Sequence, residues 1–74
     1  MLFTEVTAML GEYIRENRKK MNLTQRQLGE MCGYTGRSAI VTVQEWEHDR
    51  RPVPLDKIRP LAKALGISID SLIP

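Results

Sequence analysis

The stretch GYTGRSAIVTVQEWEHDRRP, Gly33 to Pro52, admits two readings. Ile40, Val41, Thr42 and Val43 are all β-branched and suit the middle of a strand. Trp46, Glu47 and the basic residues behind them suit the end of a helix and the loop that follows. Strict alternation would set Ile40 and Thr42 against Val41 and Val43, which leaves no polar face opposite an apolar one. At about 100° per residue, Ala39, Ile40, Val43, Trp46 and Glu47 gather on one side, with Arg37, Ser38, Val41, Gln44, Glu45 and His48 on the other. β-Branching costs a helix only a few tenths of a kcal/mol per residue, roughly, and packing overrides that. The segment reads as a helix.

Upstream lies LTQRQLGEMCG. Thr24 with Gln27 forms a capping box, and Leu23 with Leu28 a hydrophobic staple. Leu28 and Met31 make the inward stripe, and Gly33 is placed to terminate the helix. Before it, Thr4 can cap a first helix carrying Val6, Met9, Leu10, Tyr13 and Ile14 at helical spacing. That helix closes on the basic turn RENRKK, with Asn22 able to turn left-handed behind it. Downstream, HDRRPVP is a loop because of its prolines. LDKIRPLAKALG is a fourth helix ended by Gly66, either kinked at Pro60 or beginning there. Ser68 would cap a last short helix, IDSLI. The expectation is an all-α, compact five-helix bundle forming one domain over residues 1–74.

The chain has 74 residues, 42% of them hydrophobic and 27% charged, enough for a core and too apolar for a disordered tail. Aromatic residues are few, and a core this small stabilises by only about 3–5 kcal/mol, so a dimer interface would help. A single cysteine, Cys32, excludes an intrachain disulfide, and with one histidine, His48, no zinc set can form. No metal or cofactor is expected, and Cys32 reads as a small apolar residue. No run approaches the ~20 apolar residues of a bilayer span. MLFTEV lacks the basic start of a secretion signal, so a soluble, cytoplasmic protein is expected. Net charge is only +2, but its distribution is uneven. Arg15, Arg18, Lys19 and Lys20 cluster, and Arg50 and Arg51 follow the central helix. A basic face of this kind suits a polyanion.

A short capped helix, a glycine turn and a second helix make a helix-turn-helix unit. RKKMNLTQRQLGEMCGYT, then VQEWE, RRPVP and LAKALGISIDSL, resemble in that order the lambda-repressor-like, Xre-type DNA-binding domain. The resemblance covers Leu10 to Ile73. It implies a regulator of transcription that binds double-stranded DNA, usually a repressor and usually a dimer. Ile67, Ile69, Leu72 and Ile73, or Met1, Leu2 and Phe3, could supply the dimer interface. In the family the glutamine opening the first helix of the unit contacts the DNA backbone, which is Gln25 here. A helix N-terminus also suits a phosphate, and Arg26 beside it can add a second contact.

Relatives read bases from the front and outer face of the second helix, at positions that fall here on Ile40, Val41 and Glu45. Between Gly33 and Trp46 this chain has about four residues more than the family usually has, roughly one helical turn. Either the helix is extended at its front, or YTGRS is a longer loop in which Thr35 meets the backbone. In both cases Arg37 is the foremost DNA contact, with Ser38 beside it. Arginine can donate twice to the O6 and N7 edge of guanine. Val41 can pack on a thymine methyl, Thr42 and Gln44 can bond phosphate or base, and Glu45 can accept from a cytosine amino group. Arg50 and Arg51 match the loop that grips the backbone in relatives. The resemblance also pairs Arg18 with Glu47 as a partly buried ion pair, and sets polar Asn17 where relatives carry an apolar residue.

Two other functions fit part of the pattern. Many antitoxins of toxin–antitoxin pairs carry this domain, although no separate toxin-binding extension is evident. Glu45, Ile40 and Val41 in the reading region would suit a helical protein-interaction module that has lost DNA binding. An enzyme is not expected, since no nucleophile–base pair or phosphate-cradling glycine loop occurs.

Overall fold

The chain folds into α1 (Leu2–Lys20), α2 (Gln25–Met31), α3 (Gly36–Glu47) and α4 (Leu55–Leu65), followed by one 3₁₀ turn at Ile69–Leu72. The computed structural model describes residues 2–73, and side chains from residue 10 onward. Among the described residues there is no strand, and Ile40–Val43 lies inside α3. These described residues form four α-helices rather than five. The expected last helix is the 3₁₀ turn, because a four-residue segment cannot make enough i→i−4 bonds to offset nucleation. Ser68 does not cap it; its hydroxyl lies 3.3 Å from that of Ser71. Thr4 is not the cap of α1 either, since the helix begins ahead of it at Leu2. The side chains of Val6 and Met9 fall outside those described.

All four helices end in the same way. The N–H five residues on from a carbonyl near each helix end returns to it: Leu23 to Arg18, Tyr34 to Gly29, Arg50 to Glu45 and Ile67 to Ala62. This closure needs a left-handed residue just inside the bond. Asn22, Gly33, Asp49 and Gly66 supply it, with φ of 58°, 99°, 56° and 70°. α4 runs continuously through Pro60 from its start after Pro54. The carbonyl that Pro60 cannot serve belongs to Asp56, an exposed residue in the first turn, where water can replace the missing bond.

The core comprises Ile14 of α1, Leu28 of α2, Val43 and Trp46 of α3, Leu61 and Leu65 of α4, and Leu72 of the 3₁₀ turn. Met31 was expected among them but is 52% exposed, and Cys32 is buried at its side of α2 instead. Cys32 lies four residues after Leu28, and its N–H still bonds the Leu28 carbonyl at 3.2 Å, so it continues the inward stripe. Trp46 meets Tyr34 edge-on at 5.9 Å, and Lys57 lies over the Tyr34 ring at 4.9 Å. The indole N–H of Trp46 is buried with no partner among the described residues, a cost of about 1–3 kcal/mol. Burial of the large ring offsets it. α2 and α3 cross backbone to backbone at Gly29, where any Cβ would come within 2.4 Å of the Ala39 carbonyl oxygen. That close crossing sets the angle of the helix-turn-helix unit.

Candidate nucleic-acid interface

The extra chain ahead of Trp46 lengthens the helix rather than the loop. α3 spans 12 residues and opens at Gly36, whose φ of 55° suits glycine. Thr35 sits at the N-cap, exposed, with its hydroxyl making no capping bond. Arg37, Ser38, Val41 and Gln44 are exposed on the outer face, and His48 continues the stripe. From Arg37 to Gln44 the helix rises about 10 Å, roughly three base-pair steps.

Thr42 does not belong to that face. It is 5% exposed, because it lies three residues after Ala39 and four before Trp46, both buried, and so falls within the inward stripe. A duplex cannot reach it without disrupting the helix. Ile40, expected to point fully inward, is half-buried at the edge of the face.

Behind the stripe runs a chain of polar side chains. Arg18 grips Glu47 with both arms of its fork, Nε to Oε2 at 2.6 Å and Nη2 to Oε1 at 3.4 Å. Its remaining arm, Nη1, donates to the Leu23 carbonyl at 2.9 Å. The side chains of the pair are 11% and 3% exposed. Gln25 Nε2 donates to Glu47 Oε1 at 3.1 Å, and Gln44 Nε2 donates to Gln25 Oε1 at 3.2 Å. Gln25 is thus half-buried and bonded at both ends of its amide, not a free side chain at the helix start. Arg26 is exposed and pairs with Glu30 on its own helix at 3.1 Å. Asn17 keeps its amide satisfied by donating to the Tyr13 carbonyl at 2.9 Å.

The loop after α3 carries Arg50 and Arg51, both exposed. Arg50 also lies 3.6 Å from Glu45, so the acidic residue on α3 is partly neutralised. Asp49 anchors this loop to α1 by accepting the Gly11 N–H at 3.0 Å. In the sequence Asp49 belongs to a stretch that reads only as a loop, although aspartate tolerates the left-handed conformation and the position lies two residues past the end of α3. A cleft of about 740 Å³ between α1 and the start of α2 brings Arg15 and Lys19 beside Gln25 and His48. Both belong to the basic cluster visible in sequence; only the packing of α1 against α3 sets them next to the outer face. Cys32 is chemically quiet, because burial raises its thiol from 9.0 to about 11 against the opposing pull of Lys57. No group of residues suited to a metal occurs among the described residues, and no described helix is long and apolar enough to cross a membrane.

The helix-turn-helix family matches residues 14–72. The chain is also 34% identical over 67 residues to Repressor protein C2 of Salmonella phage P22, covering 90% of this chain. It spans 29% of that protein's length. No solved structure gives a significant match. With a capped α2, a close glycine crossing and an exposed α3 in the matching order, the chain belongs to the lambda-repressor-like, Xre-type helix-turn-helix family.

Proposed function

We propose that this chain is a sequence-specific double-stranded DNA-binding domain of a repressor-type transcriptional regulator, with α3 lying in the major groove. The observation that carries this reading is the exposed stripe Arg37–Val41–Gln44 on a helix that begins at Gly36. Arg37 and Ser38 lead into the groove, and Arg50, Arg51, Arg26 and Thr35 lie toward the flanking backbone. Pairing of Glu45 with Arg50 reduces the repulsion that an acidic residue would bring to a phosphate-lined groove.

A homodimer on two half-sites about one helical turn apart completes the proposal. Leu72 is buried at the floor of one groove, and the half-buried Ile67 and Ile69 side chains pack on the core, so less of their surface is left for an interface. Leu55, 89% exposed, and Ile73, 52% exposed, flank an apolar groove that a second copy would cover. Met1 lies outside the described residues, as do the side chains of Leu2 and Phe3. Cytoplasmic location follows from the proposed target. Gel shifts with duplexes selected from a random pool test the reading. The expected result is saturable binding whose log affinity falls with log salt by about 0.9 per phosphate neutralised. Absence of binding to any duplex at low salt would refute it.

A further inference from the structure

We infer that Glu45 and Arg50 form an exchangeable pair that makes a DNA-backbone contact depend on the base facing α3. The Glu45 carboxylate holds Arg50 until a cytosine amino group takes it, and Arg50 then passes to a phosphate. This assignment rests on the DNA-binding reading above. Glu45 follows Val41 by one helical turn, so it continues the outer stripe of α3. Its side chain is 26% exposed and that of Arg50 is 67% exposed. Their closest approach, Nη1 to Oε2, is 3.6 Å, an ion pair too long for a hydrogen bond. The buried Arg18–Glu47 pair, bonded at 2.6 Å, has no such freedom.

The backbone keeps the two side chains together while leaving their ends free. The Arg50 N–H donates to the Glu45 carbonyl at 2.9 Å, closing the end of α3. Asp49, left-handed at φ 56°, is pinned through its Oδ1 to the Gly11 N–H at 3.0 Å. Arg50 therefore starts from the same place in either state, and only its guanidinium needs to move. A carboxylate only accepts hydrogen bonds, and cytosine presents a lone donor, N4, in the major groove. Guanine and thymine present acceptors there, and adenine sets N7 beside its donor, against the second carboxylate oxygen. At a site without the cytosine, Glu45 keeps Arg50, and the pair offers no net charge to phosphate. A wrong base thus loses two contacts, one to the base and one to the backbone, so Glu45 also acts against non-specific binding.

Sites enriched from a random duplex pool, followed by salt titrations, test the assignment on the wild-type chain, E45A and R50A, with folding checked by thermal melting. Wild-type sites should carry a cytosine column that E45A flattens, a loss of preference on the order of tenfold. For the wild type, log affinity should fall with log salt more steeply on a selected duplex than on one with that cytosine replaced by thymine. The expected difference is about 0.9, one phosphate. E45A should bring both duplexes to the steeper slope and raise affinity for unselected DNA by up to about fivefold, the value of a surface pair. R50A should bring both to the shallower slope while keeping the column. Selected sites without a cytosine column, equal wild-type slopes on the two duplexes, or an E45A variant no tighter on unselected DNA would overturn the assignment alone. Failure of the wild-type chain to enrich any duplex would overturn it together with the DNA-binding reading.

Discussion

The Arg18–Glu47 pair offers the sharpest test of the energetics. Its side chains are 11% and 3% exposed, so both charges have left most of their water. Replacing Arg18 by Met keeps the aliphatic packing but leaves the Glu47 carboxylate with only the amide of Gln25 as a described partner. Stranding a buried charge in this way costs about 3–5 kcal/mol. A domain of this length has about 4–11 kcal/mol to lose, at 0.05–0.15 kcal/mol per residue. The melting temperature should fall by roughly 12–40 °C, and part of the population should be unfolded at ambient temperature. Replacing Glu47 by Leu strands the guanidinium and should cost a similar amount. The double variant R18M/E47L strands neither charge and should return to within about 1 kcal/mol of wild type, since an apolar pair often equals a buried ion pair. Urea unfolding of the four proteins closes the cycle. A coupling energy below about 1 kcal/mol, the value of a surface pair, would refute the claim that these charges are buried and interdependent.

Gly29→Ala should lower stability by about 1–3 kcal/mol, because its Cβ would press on the Ala39 carbonyl at 2.4 Å. At an unobstructed helical site the same change would raise stability by about 0.8–1 kcal/mol, so the sign in a thermal melt is decisive. Cys32, raised from 9.0 to about 11 by burial, keeps its proton in the folded state longer than in the unfolded one. Its contribution is complete below pH 9 and is lost as pH rises through about 11, and folded protein at pH 8 should resist alkylation until unfolded. Thr42→Val should leave DNA affinity unchanged, since residue 42 is buried, whereas Arg37→Ala should lose about 1–3 kcal/mol on selected sites. Competition gel shifts with both variants separate the inner from the outer face of α3.

Local chemistry was legible in the sequence wherever a short stretch decides its own conformation. Thr24 and Gln27 form the capping box by themselves, with bonds of 3.0 and 2.8 Å, and Asn22, Gly33 and Gly66 turn left-handed where the pattern placed them. The helical period of Ala39, Val43 and Trp46 likewise outweighed the β-branched run at Ile40–Val43. What needed the third dimension were the choices made between distant segments. Thr42 shares the helical spacing of Ala39 and Trp46, but only the packing of α1 and α2 against α3 closes that face over a polar side chain. Met31 and Cys32 lie three and four residues after Leu28, on either side of one stripe, and only the packed core decides which of them is buried. The bonds from Gln25 to Glu47 and Gln44 join residues far apart in the chain, and the crossing at Gly29 brings them within reach. A chain encodes its caps and periods locally, but which side chains share a face depends on how the helices cross, and that is settled only when the core is packed.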